Sequence, residues 1–331
     1  MICCGRGQIG YRDYTGCTST IEAVRVSYGS ALELGLLRGR TDARTTTLYL
    51  FVSNTGCRGS CAFCPQPYGE SSRISRVEWP RFSLDQVART LIGASTLRRI
   101  CIQCSDEPGI ASQAEGIVKR LAPAGLPFSV SASPLSVDDM ERLKDAGVEI
   151  LTIPVDCADK ERYRYVKGRD LEEIMDSLKA AVKVFGRGKV GTHIIVGLGE
   201  SEREAVEMID TVSRMGVAPS LFAFTPIEGT RMENAASPTI GAYRRVQIAR
   251  HLIVEAGMKA SDFKFGPDGR ITGFGCSAET LERVFNSGHP FMVCGCPGCN
   301  RPYFNEKASG PFYNYPFRPD PKRVAEETWS D

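Results

Sequence analysis

Residues 48–66 read LYLFVSNTGCRGSCAFCPQ, an apolar run followed at once by a loop that holds Cys57, Cys61 and Cys64. The run Leu48–Ser53 has the length and composition of a strand that is buried on both faces. Thiolates spaced C-x3-C-x2-C can each bind a different iron of a cubane, and the fourth iron then lacks a protein ligand. An open position of this kind can bind a substrate directly, as an open zinc position does.

The cysteine content points to metal chemistry. The chain has 13 cysteines and three histidines, so a metal site would be rich in thiolates, which favours iron–sulfur clusters or zinc over hard cations. A structural zinc ion on the loop would need a fourth Cys or His close by, and none occurs between Cys64 and Cys101. The N-terminus, MICCGRGQIGYRDY, shows no apolar signal segment, so we expect a cytoplasmic protein without disulfides.

Length and charge narrow the class of protein. The 331 residues are enough for two domains or one large barrel, and 42% hydrophobic with 24% charged residues is ordinary globular usage. The formal net charge of +2 gives no indication of binding to nucleic acid or an anionic membrane surface. No apolar run approaches the roughly 18 residues that a membrane span needs.

Short apolar runs alternate with amphipathic stretches along the middle of the chain. Helices are predicted after Ser83, Asp170 and Ser201 as N-caps, the last in a capping box with Glu204. Six β–α alternations indicate a parallel sheet with right-handed crossovers. We therefore expect an α/β fold, a partial (β/α)6 TIM-like barrel with its chemistry at the C-terminal ends of the strands. The further predicted strands are Arg99–Gln103, Pro127–Ser131, Glu149–Val155, Val190–Val196 and Ser220–Thr225.

The pattern divides the chain into three segments. Residues 1–44 form a small N-terminal helical flank with a helix near Ile21–Leu37, and residues 45–265 form the barrel. Residues 266–331 form a C-terminal extension rich in Cys and Pro. Seven prolines and little periodicity after residue 286 predict an irregular tail, held by a metal or by the barrel surface.

The strand and its three-cysteine loop resemble the radical S-adenosylmethionine (SAM) enzymes, which carry such a loop after the first strand of a partial barrel. The resemblance implies a 4Fe–4S cluster whose open iron binds SAM, and an electron donor such as ferredoxin or flavodoxin. It also implies cleavage of SAM to a 5′-deoxyadenosyl radical that abstracts hydrogen from an unactivated carbon. No catalytic residue is assigned beyond the clusters, because this abstraction needs no general base.

The same resemblance implies residues that bind SAM. Phe63 matches an aromatic position that lies beside the adenine, and the strand-5 motif IVGLGE at 195–200 packs its backbone against adenine. Glu107 lies in SDEP, where the family carries GGEP, and would accept a hydrogen bond from the SAM ammonium group. Asp156 would either contact SAM or cap the end of a strand. The implied SAM-binding set is Phe63, Glu107, Asp156, Ile195, Gly197 and Glu200.

A second cysteine group lies in the tail, where Cys294, Cys296 and Cys299 are spaced C-x-C-x2-C between glycines that let the backbone turn around a metal. We predict a second, auxiliary Fe–S cluster there, with a zinc knuckle as the alternative. Its fourth ligand is left open between Cys276, a Ser, an Arg and a cysteine of the N-terminal flank. The candidates from that flank are Cys3, Cys4 and Cys17.

Two other cysteines and one histidine receive structural interpretations. Cys101 and Cys104 lie three positions apart on a predicted strand, so they point to opposite faces and are poor partners for one site. We expect Cys101 to be part of the core, whereas Cys104 lies near the barrel mouth without an assigned role. His193 is expected to be a packed, buried side chain.

The tail, with NRPYFNE at 300–306 and GPFYNY at 310–315, is similar to the biotin-synthase-related radical SAM proteins, some of which are split lipoyl synthases. This resemblance implies a sulfurtransferase that inserts sulfur from the auxiliary cluster into an octanoyl chain on a carrier-protein lysine. The implied partners are a lipoyl carrier protein or domain and a paralogous radical SAM protein. The N-terminal three-cysteine motif and terminal Arg-Ser-Ser-Tyr of single-chain lipoyl synthases do not occur in this sequence.

Alternative functions remain from two classes. Another radical SAM enzyme could perform biotin synthase-like sulfur insertion, methylthiolation or carbon-skeleton rearrangement, with the second cluster as electron relay or substrate anchor. A zinc-stabilised binding protein without radical chemistry is the non-enzymatic alternative. Loss of sulfide per turnover would distinguish sulfur insertion from reactions in which the second cluster is an electron relay or substrate anchor. Metal content would identify a zinc-stabilised binding protein.

Overall fold

The computed structural model describes residues 22–53, 56–69, 72–307 and 309–330. The strands are β1 (Ala23–Val26), β2 (Thr47–Val52), β3 (Arg73–Ile74), β4 (Val77–Glu78), β5 (Arg81–Ser83), β6 (Arg99–Cys104), β7 (Phe128–Ser131), β8 (Val148–Thr152), β9 (Val190–Val196), β10 (Val217–Ala223), β11 (Lys264–Phe265) and β12 (Ile271–Gly273). The α-helices are α1 (Tyr28–Glu33), α2 (Leu84–Leu91), α3 (Ile110–Leu121), α4 (Val137–Asp145), α5 (Tyr163–Lys167), α6 (Leu171–Phe185), α7 (Glu202–Met215), α8 (Ile240–Ala256), α9 (Ala278–Ser287) and α10 (Pro321–Trp329). Short 3₁₀ helices cover Gln66–Tyr68, Ala122–Ala124, Ala260–Asp262 and His289–Phe291.

The central sheet is mostly parallel. Strands β2, β6, β7, β8, β9 and β10 are neighbours in that order and run parallel. Strand β1 pairs antiparallel with β2, and β5 pairs antiparallel with β1 beyond it. The prediction of an α/β fold with a parallel sheet is confirmed, and it is consistent with a partial barrel whose six strands are the predicted ones.

Helix starts follow the predicted capping chemistry. The Ser83 hydroxyl accepts from the N–H of Gln86, and Ser201 and Glu204 form the reciprocal capping box at the start of α7. Asp170 occupies the N-cap position of α6 without a side-chain capping bond. Across the described part of the chain, none of the helices combines the length and apolar character needed to cross a bilayer.

The predicted helix near Ile21–Leu37 is present only as the short helix α1, which begins after Ser27, the residue that caps it. The residues before it form strand β1. The sequence AVRV alternates partly exposed and buried residues, which is the pattern of a half-buried strand. Pairing with β2 supplies the hydrogen bonds that so short a strand could not make alone.

The tail is anchored to the barrel through two arginines of α8. Arg244 forms an ion pair of 2.9 Å with Glu327, and its side chain is fully buried. Arg245 pairs with Glu202 at 2.6 Å and donates at 2.8 Å to the Thr328 carbonyl. These contacts dock α10, a helix that the expectation of an irregular tail did not include, while the boundary at residue 266 stays a prediction.

The two faces of the sheet have different neighbours. Successive strand residues point to opposite faces. Tyr49 and Phe51 pack on the inner face with Trp79, and this aromatic cluster is contacted by Cys299 and Phe304 of the tail. The tail therefore enters the inner side of the barrel rather than covering its outside. The opposite face of β2 and β6 packs in the main core through Leu48, Leu50, Ile100 and Ile102.

Candidate active site and auxiliary cluster site

The first cysteine group lies on the loop after β2, at the carboxyl edge of the sheet. Burial raises the pKa of the Cys64 thiol to about 12, and the nearby Cys61 and Cys57 thiols add to the rise. Burial likewise raises the pKa of Cys61, with a contribution from Cys57. The three sulfurs are therefore close enough to affect one another, and bound irons would supply the positive charge that such thiolates need.

No three His, Cys, Asp or Glu side chains among the described residues converge on the position of a single metal ion. The thiolates of a cubane bind separate irons, so they do not need to share one ion. The donor set of the loop, which consists of thiols alone, fits an iron–sulfur cluster with one iron left free for another ligand.

The cysteine loop is bonded through Asp106 to the segment that connects β6 with α3. The Arg58 N–H donates to the Asp106 carbonyl at 2.7 Å, and the Arg58 guanidinium pairs with the Asp106 carboxylate at 3.0 Å. Arg169 forms a second ion pair with the same carboxylate. The sequence marked Asp106 only as a departure from GGEP, whereas the structure makes it the anchor of the cysteine loop.

A buried ion pair lies beneath the loop. The Lys167 ammonium contacts Asp156 at 2.6 Å, with only 7% and 9% of the two side chains exposed. Burial acts to lower the pKa of Lys167, but Asp156, Cys61 and Tyr163 together outweigh this effect and the pKa is raised, so Lys167 carries its positive charge. The Lys167 carbonyl also accepts from the Cys61 thiol at 3.7 Å, and its ammonium lies 5.9 Å from the Phe63 ring centroid. No pattern in the sequence indicated Lys167.

The second cysteine group lies inside the barrel. The Cys299 sulfur is 3.2 Å from the Tyr49 hydroxyl of β2, and the Cys294 sulfur accepts at 3.1 Å from the N–H of Leu221 on β10. Burial raises the pKa of Cys296, and a hydrogen bond with Ser129 of β7 opposes this rise. The tail thiols thus contact strands from both ends and the middle of the parallel sheet.

A buried arginine accompanies these thiols. The Arg301 guanidinium stacks 3.6 Å from the Phe222 ring centroid and donates to the Cys294 carbonyl at 2.9 Å. Burial acts to lower the pKa of Arg301, but the Cys299 thiol and the Tyr49 phenol raise it above its ordinary value. A fixed positive charge beside a group of thiols suits an anionic iron–sulfur cluster. The sequence analysis left an Arg open as a ligand but did not single out Arg301.

Two of the remaining cysteines lie on β6. Cys104 packs in the main core and Cys101 against the inner aromatic cluster, which confirms that they point to opposite faces. Cys101 is packed against a core cluster as expected, but this is the cluster on the inner face, which Cys299 of the tail also contacts. Cys276 follows β12, and its pKa is raised by burial without influence from another cysteine. The three N-terminal candidates, Cys3, Cys4 and Cys17, lie outside the described residues.

Comparison with known proteins identifies the centre of the chain. The family model of the radical SAM superfamily matches residues 51–212, which include the cysteine loop and β9. This part of the chain belongs to the radical SAM superfamily. The match supports the interpretation as a radical SAM enzyme over that of a zinc-stabilised binding protein without radical chemistry. Membership implies a 4Fe–4S cluster and SAM, and the three mutually close thiols of the loop are the residues that would hold that cluster.

Relatives of this chain include biotin synthases. The biotin synthase of Prochlorococcus marinus is 24% identical over 247 residues, which cover 70% of this chain and 71% of the relative. That of Acidithiobacillus ferrooxidans is 26% identical over 230 residues, or 64% of this chain and 69% of the relative. A crystal structure of HydG, a maturase of the FeFe-hydrogenase, superposes with a TM-score of 0.50 at 15% identity and shows the fold. The match covers 63% of this chain and half, 50%, of HydG.

The implied SAM-binding residues lie around the mouth of the radical SAM barrel. Phe63 is on the cysteine loop, Glu107 is buried directly after β6, and the N–H of Ile195 donates at 2.7 Å to the Asp156 carbonyl. Asp156 therefore links two strand ends through its backbone while its carboxylate holds Lys167. Contact of these residues with SAM stays a prediction.

Gly197 and Glu200 form a self-contained turn after β9. The Glu200 carboxylate accepts hydrogen bonds from the N–H groups of Gly197 at 2.6 Å and Leu198 at 3.0 Å. Gly197 has φ of +105°, and a side chain there would approach Pro238 to 2.7 Å, so glycine is required. Burial raises the pKa of Glu200 to about 7, against the opposing effect of these hydrogen bonds. The carboxylate positions this turn, and its role toward SAM stays a prediction.

Proposed function

We propose that this protein is a sulfurtransferase that inserts sulfur into an octanoyl chain on a lysine of a lipoyl carrier protein, as one partner of a two-protein lipoyl synthase. The observation that carries the proposal is the position of Cys294, Cys296 and Cys299 on the inner side of the barrel, against the strands that carry the SAM site. A tail that served only as a zinc staple would have no need to place its thiols in the barrel interior.

The chemistry divides between the two cysteine groups. With both clusters and SAM bound, the loop site supplies a radical that removes hydrogen from an unactivated carbon, and the tail site supplies sulfide for the new C–S bond. The chain itself holds the loop through Asp106 and Lys167. It packs Cys299 of the tail against Tyr49, Phe51 and Trp79, which exclude water from that side.

Sulfur insertion also agrees with the biotin synthases among the relatives. That likeness makes biotin synthase-like insertion into another small substrate the second candidate function. The octanoyl-carrier assignment comes from the tail motifs at 300–315. The carrier domain, a paralogous second protein and a ferredoxin or flavodoxin electron donor are parts of the same proposal.

The metal content tests the two-site arrangement. After anaerobic reconstitution we expect about eight irons and eight sulfides per chain, falling to about four of each when Cys294, Cys296 and Cys299 are replaced by Ala. About four irons with one zinc would contradict the proposal, because the tail would then hold no sulfide to insert.

Turnover tests the substrate. The reconstituted protein is mixed with SAM, dithionite and either an octanoyl-lysine peptide or the sulfur-free precursor of biotin. We expect a sulfur-containing peptide product, formed with 5′-deoxyadenosine and with loss of cluster sulfide, detected by mass spectrometry. Sulfur incorporation into the biotin precursor alone would favour the second candidate, and 5′-deoxyadenosine without any sulfur product would contradict both.

A further inference from the structure

Three side chains form one row across the inner face of the sheet. In the strand register Tyr49 of β2 pairs with Cys101 of β6, and Cys101 pairs with Ser129 of β7. Neighbouring strands lie about 4.8 Å apart, so Tyr49 and Ser129 flank Cys101 directly. Tyr49 contacts the Cys299 sulfur at 3.2 Å, and Ser129 is hydrogen-bonded to Cys296. Cys101 therefore lies between the two points at which these tail cysteines touch the sheet.

Cys101 also packs close to the tail cysteines. Cys101 and Cys299 pack against the same aromatic cluster of Tyr49, Phe51 and Trp79. After burial, the Cys296 and Cys299 thiols are the largest causes that raise the pKa of Cys101, which agrees with close sulfurs. The Gln103 amide donates to the Cys101 sulfur at 3.0 Å and holds it toward the interior.

One charge connects all four thiols. Arg301 acts electrostatically on Cys101 and Cys296, and it is in turn affected by Cys299 and Cys294. All four sulfurs therefore lie within electrostatic range of one buried guanidinium. The fourth sulfur, on Cys294, is held on the other side by the N–H of Leu221 on β10.

We infer that the Cys101 thiolate is the fourth protein ligand of the auxiliary cluster and completes a four-cysteine site with the three tail cysteines. The inference rests on the proposed function, because it requires the second cluster. A cluster held by four thiolates leaves no iron open to a small molecule, in contrast to the three-cysteine loop at the mouth. The auxiliary cluster would then bind no SAM and would serve as a source of sulfide.

The rival ligands on the described chain are less suitable. A protonated guanidinium has no lone pair for iron, and that of Arg301 is already held by the Phe222 ring and the Cys294 carbonyl. Cys276 lies apart from the other thiols. Ser129 offers a neutral hydroxyl, a weaker ligand for iron than a thiolate, and it already accepts from Arg99 at 2.9 Å.

The test uses a chain in which Cys57, Cys61 and Cys64 are replaced by Ala, so that only the auxiliary cluster can form. After anaerobic reconstitution this background should hold about four irons, and addition of Cys101→Ala should reduce the content to about three. The electron paramagnetic resonance (EPR) spectrum of the oxidised protein should then change to that of a three-iron cluster. Cys104→Ala, on the same strand but the opposite face, is the matched control and should leave both iron and spectrum unchanged.

The outcomes separate this inference from the proposed function. A background that holds about four irons, with no change on Cys101→Ala, overturns the inference and leaves the auxiliary cluster standing with another fourth ligand. A background without iron overturns both. If Cys101→Ala does not fold, Cys101→Ser replaces one sulfur ligand by oxygen at nearly the same size. The Mössbauer spectrum should then show one altered iron site, and an unchanged spectrum overturns the inference.

Discussion

The cysteine loop at the mouth and the cysteine group of the tail both hold three thiols, but with different kinds of side chains around them. The loop gathers its three thiols within residues 57–64 and is braced by charged groups, chiefly Asp106 with its two arginines and the Lys167–Asp156 pair. The tail places Cys299 against aromatic rings, and all three of its thiols lie within electrostatic range of one buried cation, Arg301. Both groups are close together in sequence, and they differ in the side chains that surround them.

The difference also indicates a division of labour. A polar, charge-braced mouth suits a zwitterionic cofactor that must enter and leave, because its charges keep polar partners throughout. An interior lined by Tyr49, Phe51 and Trp79 suits a group that stays in place until its sulfide is used. Perturbations of one site should therefore leave the iron content of the other unchanged.

The largest effect is expected from the mouth. Cys57→Ala removes one of three ligands of the cluster that binds SAM, so SAM cleavage should fall below detection. The tail site should keep about four irons. Chromatographic assay of 5′-deoxyadenosine and iron analysis measure the two quantities. Loss of iron from both sites would break the comparison, because it would show that the sites do not assemble independently.

The converse change targets the tail. Replacement of Cys294, Cys296 and Cys299 by Ala should abolish sulfur incorporation. SAM cleavage without added substrate should be retained within about threefold, which corresponds to a change of less than 1 kcal/mol in the activation free energy. Product analysis by mass spectrometry and the 5′-deoxyadenosine assay separate these activities. Retained sulfur incorporation would contradict the assignment of the tail as the sulfur source.

A third prediction concerns the buried ion pair beneath the loop. Lys167→Met leaves the Asp156 carboxylate buried and uncompensated, and the free energy of unfolding should fall by about 3–5 kcal/mol. Urea denaturation measured anaerobically gives the change. Addition of Asp156→Asn should restore part of the loss, because the unpaired charge is then removed.

The matched control is an exposed ion pair on α3. Lys119 pairs with Glu115 at 2.6 Å, but 65% of the lysine side chain is exposed. Lys119→Met should therefore change the free energy of unfolding by only about 0.5 kcal/mol. Equal losses for the two lysines would show that the Lys167–Asp156 pair contributes no more to the mouth than a surface pair.

The smallest effect is a pH dependence at the turn after β9. Burial raises the pKa of Glu200 from 4.5 to about 7, so between these values the folded protein binds a proton that the unfolded chain has lost. This contribution to stability is present at low pH and is lost as the pH rises to about 7. Relative to the wild type, Glu200→Gln should become more stable between pH 5 and pH 8 by at most about 3 kcal/mol.

Denaturation at the two pH values measures this difference. Glu115 has a lowered pKa, through hydrogen bonds from Lys119 and Arg142, and is ionised over the whole range. Glu115→Gln should therefore show a constant difference from the wild type. The same constant difference for Glu200→Gln would mean that Glu200 is ionised in the folded protein already at pH 5.

The sequence by itself determined the features that depend on neighbouring residues. The six parallel strands, the capping box of Ser201 and Glu204 and the spacing of both cysteine groups follow from local periodicity and short chain separations. Strand β1 was missed because four residues carry too short a pattern, and only pairing with β2 makes them a strand.

Tertiary structure alone decided which distant residues meet. Lys167 reaches Asp156, and Cys101 faces the tail cysteines, only because parallel strands bring separate parts of the chain side by side. The sequence showed that Cys101 and Cys104 point in opposite directions, but not which face the tail would fill. Local patterns record the direction of a side chain relative to its own strand. The neighbour it meets depends on how the whole sheet curves and what enters it.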